Sequence, residues 1–220
     1  MYHQLASLHS LTNLFARALG GIFSDIIAKR FGMRGRLWWY WYTQTFGGVF
    51  CLVLFYVDYS FAATVVVLFI FALHTFAACG ASFGIVPFIS RRALGIVCGF
   101  VGAGGNAGAA ITQAIFFTPT TFTIQEGFKW MGVMVICVTQ LLFLLWWPMW
   151  GGMVLPARKD ATEEEYFARD FTAAEKEEGL HRSVMKYANE SRSQRGFKGV
   201  VKFNSMKQTD GDAVKAQQNV

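Results

Sequence analysis

Four stretches of this 220-residue chain carry no charged side chain: Leu37–Val57, Phe61–Ser90, Ala93–Gln125 and Trp130–Ala157. A helix of about 20 apolar residues crosses a hydrocarbon layer about 30 Å thick, so each window can hold one crossing. Strands are excluded, because lipid leaves an unpaired backbone group without a partner and the windows lack the alternation of a barrel strand. Residues 1–156 hold only 8 of the 20 Lys and Arg and 3 of the 14 Asp and Glu. That is too few to cover a water-facing surface, which rules out a soluble globular enzyme over that stretch. The expected fold is all-α: a polytopic membrane helical bundle over 1–156, then a polar tail over 157–220. Spans are expected at about 5–27, 37–57, 62–88, 93–117 and 130–152, the first being the weakest because it contains Arg17 and ends at Asp25.

Basic residues near span ends set orientation. Lys29, Arg30, Arg34 and Arg36 follow the first span, none surround Asp58, Arg91 and Arg92 follow the third, Lys129 alone precedes the fifth, and Arg158 and Lys159 open the tail. This alternation predicts a cytoplasmic tail, partly helical between Glu163 and Tyr187 and disordered after about Asn189. Trp38, Trp39, Trp41, Trp146, Trp147 and Trp150 fall at the same inferred interface. The net charge of +6 therefore reflects membrane topology and gives no ground for a nucleic-acid partner; the lipid bilayer is the expected environment. Cys51, Cys79, Cys98 and Cys137 lie singly in apolar runs and read as small buried residues. No metal-ligand or cofactor motif is present, and no catalytic constellation, so the chain reads as a non-enzyme.

Three features can carry function. Arg17, inside a span, is expensive in lipid unless it faces a polar cavity, and its planar fork suits a small oxyanion. Within Gly102–Ala110, Gly104, Gly105 and Gly108 form a small-residue face that exposes backbone, and Asn106 adds amide hydrogen-bonding groups. The spacing does not fit a dinucleotide loop, and no strand precedes it. The run from Gly21 through Asp25, Lys29, Arg30, Gly32 and Arg34 reads as an acid-capped span end followed by a basic turn, in which Asp25 can latch onto the link. His74, inside a span, is a weaker candidate for carrying protons.

The segments Asn13–Gly21, Ser24–Trp38, Phe83–Arg92 and Gly102–Gly108, with the tail stretch Glu175–His181, resemble the nitrate/nitrite porter family of the major facilitator superfamily, most closely its eukaryotic high-affinity branch. The resemblance implies a twelve-span transporter to which this chain supplies roughly spans eight to twelve, a partial major facilitator fold. It implies that Arg17 binds the anion, that Gly104, Gly105, Asn106 and Gly108 belong to the nitrate motif, and that Gly21–Arg34 is the gating motif, with Ile26 directly after the acid where the superfamily usually has a basic residue. Nitrate, with nitrite as a second candidate, and protons are the implied ligands, the plasma membrane the implied location. The missing N-terminal half would supply a second arginine and the opposite wall of the path, so the chain alone is expected not to transport. The alternative is a truncated, non-transporting membrane protein that associates with a full-length transporter.

Overall fold

The computed structural model describes residues 2–57, 60–118, 122–158 and 160–195, with side chains from Thr12 onward except Ser193. Helix α1 (Tyr2–Tyr56) consists of two helical arms joined at Gly32, where φ is 66° and ψ −153°. That backbone region is accessible essentially to glycine alone. The basic link between the first two expected spans is thus an elbow within helix, not an open loop.

Helix α2 (Phe61–Phe83) packs along both arms. Gly20 and Gly80 make this possible: a Cβ on Gly20 would lie 2.5 Å from Ala77 Cα, and one on Gly80 would overlap the Arg17 carbonyl. The two backbones therefore touch directly. A 3-10 turn, Val86–Phe88, follows α2 and carries Pro87. Helix α3 (Leu94–Thr112) runs into a single π-helical turn, Gln113–Phe117. Helix α4 (Ile124–Thr139) lies against the second arm of α1, where the Cys51 thiol reaches the Phe128 carbonyl at 3.2 Å, and ends in a 3-10 turn, Gln140–Leu144. Among the described residues, Phe61–Phe88, Leu94–Phe117 and Ile124–Leu144 are long and apolar enough to cross a membrane.

The last of these differs from the expected 130–152. It starts earlier because Thr123 and Glu126 form a capping box: the Thr123 amide donates to the Glu126 carboxylate at 2.8 Å and the Glu126 amide to Thr123 Oγ1 at 3.3 Å. It stops at Leu144 because Pro148 and Gly151 (φ 76°) turn the chain into a short antiparallel hairpin, β1 (Trp146–Trp147) against β2 (Gly151–Gly152).

The tail folds as α5 (Glu163–Ala168), α6 (Ala173–Glu177) and α7 (Arg182–Glu190), followed by a 3-10 turn, Arg192–Arg195. Ordered structure thus runs past Asn189; the disorder expected further along falls on residues 196–220, outside the described residues. Thr162 and Thr172 cap α5 and α6, and Gly179 (φ 77°) turns the chain toward α7. The tail does not stand apart. Phe167, Val184, Met185 and Ala188 enter one buried cluster with Met33, Leu37, Ile85, Phe88, Trp147 and Met153. Elbow, α2–α3 connection, hairpin and tail therefore share a core, in which each large apolar side chain contributes about 1.5–3 kcal/mol by leaving water.

Candidate functional site

Arg17 lies on the first arm of α1, three residues before the glycine that seats α2. Its side chain is exposed, and its guanidinium carbon stands 5.4 Å from the centre of the Phe83 ring. Among the described residues no carboxylate pairs with it. This leaves a planar cation with an aromatic floor and its hydrogen bonds open toward the outside, an arrangement able to take an anion by a two-pronged contact.

The glycine segment stands elsewhere. Helix α3 buries none of its residues, and a Cβ placed on Gly102, Gly104, Gly105 or Gly108 would meet no other heavy atom within 4 Å. Asn106 is exposed. The structure does not bring Arg17 into contact with this segment: Arg17 rests on the end of α2, while α3 touches chiefly the turns that flank it in sequence. Both groups face outward.

The Gly21–Arg34 run lies around the elbow. Gly21 faces Gly80 across the α1–α2 contact, and Gly32 makes the bend. Asp25, half exposed, accepts from Arg36 Nη2 at 2.6 Å, and Arg36 itself is 1% exposed. The latch expected from Asp25 thus closes on Arg36, the last of the four basic residues in the link. Arg36 also donates to Ser24 Oγ (3.3 Å) and to the Gln194 carbonyl (3.4 Å), and stacks 5.3 Å from the Phe88 ring. Arg34 binds the hairpin, donating from Nε to Gly152 O (3.1 Å) and from Nη2 to Leu155 O (3.2 Å). Lys29 and Arg30 are exposed.

A second buried arginine comes from the tail. The Arg195 side chain, 0% exposed, makes a two-pronged contact with Glu163, Nε to Oε1 and Nη2 to Oε2 at 3.0 Å each. It donates further to Ser191 Oγ (2.7 Å) and to the Ala188 carbonyl, and lies over the rings of Phe88, Trp150 and Phe167. Trp150 Nε1 donates to the same Glu163 carboxylate at 2.6 Å. The Arg195 carbonyl sits where a Cβ on Gly32 would come within 2.6 Å. The tail thus closes over the elbow at its bend.

A third contact clamps the α2–α3 connection. Arg92 donates to both Glu175 oxygens, at 2.8 and 2.6 Å, and to the Asp170 carbonyl, while Ser90 Oγ donates to Asp170 Oδ2 at 2.7 Å. The Arg92 guanidinium, with the Thr172 amide and hydroxyl, holds the Glu175 carboxyl down at about 2. The bond to Glu175 raises the Arg92 pKa in turn.

Arg36, Glu163 and Arg195 escaped recognition as site residues because their charged partners lie 11 to 32 positions away. One local signal was present: Val184, Met185 and Ala188 form an apolar stripe on α7, and Tyr166 and Phe167 interrupt an acidic run. A solvated tail has no use for either.

No family model matches the chain, and no solved structure does. Individual relatives do. Nitrate transporter 2.2 of Chlamydomonas reinhardtii is 48% identical over 220 residues, covering 96% of this chain and 43% of that protein. Nitrate transporter 2.1 of the same alga is 51% identical over 197 residues, with 87% and 36% covered. High-affinity nitrate transporter 2.3 of Oryza sativa subsp. japonica is 46% identical over 187 residues, with 85% and 36% covered. The chain spans less than half the length of these relatives. With that identity running through bundle and tail alike, the chain belongs to the nitrate/nitrite porter family of the major facilitator superfamily.

Proposed function

We propose that this chain forms the C-terminal part of a nitrate transporter of the high-affinity type. The observation that carries the reading is its identity of 46 to 51% with proteins named nitrate transporters over most of its own length. In this reading residues 1–156 supply five spans, at about 5–27, 37–57, 62–88, 93–117 and 124–144, resembling spans eight to twelve, and the tail is cytoplasmic with the protein in the plasma membrane. Arg17 holds the anion by paired hydrogen bonds. The Gly104, Gly105, Asn106 and Gly108 face supplies close backbone approach and one amide side chain, and helices from the remainder of the transporter close the path between the two. The outward-facing state of both elements supports this, since each presents polar recognition groups that nothing else in the described residues covers.

The Gly21, Asp25, Lys29, Arg30, Gly32 and Arg34 run is the gating element, an elbow whose two arms tilt about Gly32 and whose Asp25–Arg36 pair makes or breaks with that tilt. Transport is coupled to protons, and nitrite is a second substrate. The test is Arg17→Lys in the assembled transporter. A Lys keeps the charge but cannot reproduce the planar two-pronged contact, so nitrate KM should rise at least about tenfold, the loss of one good charge-assisted bond. An unchanged KM removes Arg17 from the anion site.

A further inference from the structure

The outer side of the elbow carries an apolar groove of about 620 Å³ that the transport reading leaves unused. Ile27 and Phe31 from the first arm and Trp38, Trp39 and Tyr42 from the second form its walls, with Gly35 at the crease. Arg34 closes one end. Its Nε and Nη2 are held by hairpin carbonyls, which fixes the guanidinium plane and leaves Nη1 for an outside acceptor. The Arg30 guanidinium carbon lies 5.6 Å from the centre of the Phe31 ring, so a second cation borders the wall, and exposed Lys29 is its neighbour in sequence. Asp25 is engaged by Arg36, and no acidic residue occurs from Ile26 to Val57. The groove mouth is therefore basic with no carboxylate of its own stretch to neutralise it.

Two neighbours fix the level of this mouth in a bilayer. Trp38 donates its indole N–H to the Met153 carbonyl at 3.2 Å, and the segment that follows β2 presents Val154 and Leu155, both well exposed. Indoles, bare aliphatic side chains and arginines at one depth belong where hydrocarbon meets headgroups. An apolar trough that opens there onto unneutralised cations fits an amphiphile with an anionic head and a hydrocarbon tail.

We propose that the groove binds one anionic phospholipid of the leaflet on the tail side, its acyl chain along Ile27, Phe31, Trp39 and Tyr42 and its phosphate beside Arg34 and Arg30, with exposed Lys29 adding positive charge at the same end of the arm. A bound lipid would brace the outer side of the bend while the tail holds the inner side. This rests on the membrane placement of the bundle and not on nitrate recognition, so its failure leaves the role of Arg17 standing.

The experiment is native mass spectrometry of the whole 220-residue chain, purified in detergent and offered equal mole fractions of phosphatidylglycerol and phosphatidylcholine with matched acyl chains. The chain should retain phosphatidylglycerol preferentially. Lys29→Gln and Arg30→Gln should each lower that preference about fivefold, as expected for one cation beside an anionic surface. Both side chains are exposed and without an ion pair among the described residues, so these variants keep the fold. Phe31→Ser, which opens the wall without touching the charges, should reduce retention of both lipids. Excess inorganic phosphate should not displace the lipid. Equal retention of the two lipids overturns the proposal, as does a preference that survives the Lys29→Gln/Arg30→Gln pair. Displacement by phosphate overturns it too, by revealing a surface anion site with no use for the groove.

Discussion

The elbow end and helix α3 use similar raw material to opposite ends. At the elbow, glycines at 20, 32 and 80 each lie against another backbone, and buried Arg36 and Arg195 each find a carboxylate, several further acceptors and an aromatic face. In α3, Gly102, Gly104, Gly105 and Gly108 lie against nothing, and no residue of the helix is buried. A glycine in a helix interior costs about 1 kcal/mol relative to Ala. At the elbow that cost is offset by close packing within the chain, and in α3 nothing within the described residues offsets it. In the proposed transporter, a helix or a ligand against this face would offset it.

The contrast can be broken most forcefully at Arg195. Replacing it by Met leaves the Glu163 carboxylate buried beside Trp150 with only Arg192 Nε, at 3.8 Å, as a cation, a loss of up to about 3–5 kcal/mol for a broken buried pair. Residues 163–190 should then become rapidly exchanging in hydrogen-exchange measurements, while α2 and α4 keep their protection. Adding Glu163→Gln should restore part of the protection. Tail protection unchanged in Arg195→Met would show that the apolar cluster alone docks the tail.

Next in size is a glycine comparison. Gly20→Val forces its new side chain into the Ala77 backbone and should lower the stability of the bundle by about 1–3 kcal/mol, seen as a lower thermal midpoint. Gly105→Ala meets open space and should raise helix stability by up to about 1 kcal/mol in this chain. In the assembled transporter the same Gly105→Ala should weaken nitrate uptake, because the face is then occupied. Equal effects of the two substitutions on the chain would erase the distinction between the regions.

The smallest effect belongs to pH. Glu175 is held at about 2 by Arg92 and the Thr172 cap, against about 4.3 for a free Glu. Its contribution to docking is therefore complete above the ordinary carboxylate range and is lost as pH falls from about 4.3 toward 2. Protection of 172–178 should fall over that window in wild type. In Glu175→Gln that pH dependence should be absent.

The helical elements were legible because charge-free windows of this length admit little else, although the start of α4 was expected six residues too late, the Thr123–Glu126 capping box having gone unread. The elbow was less so. Gly32 sits in a run of basic residues that reads as a loop, and only the positive φ reveals that helix continues on both sides. The docked tail was the least legible part: Glu163 and Arg195 stand 32 residues apart, and no local pattern joins them. Trp147 and Trp150 read as membrane anchors in an apolar run, yet Trp147 is buried in the shared core and the Trp150 ring packs with Phe88, Tyr166 and Phe167. For the anion site, residue types suggested Arg17 and the glycine face but not their separation, because Arg17 rests on the end of α2 while α3 touches chiefly its flanking turns.

The most direct measurement is nitrate uptake into liposomes by this chain alone and by the chain co-expressed with the N-terminal portion of the Chlamydomonas nitrate transporter 2.2 that lies outside the matched region. The expected result is no uptake by the chain alone and nitrate-dependent uptake by the co-purified pair. Uptake by the chain alone, or a co-purified pair that moves no nitrate, would contradict the proposed path, walled on one side by Arg17 and α3 and on the other by helices of that N-terminal portion.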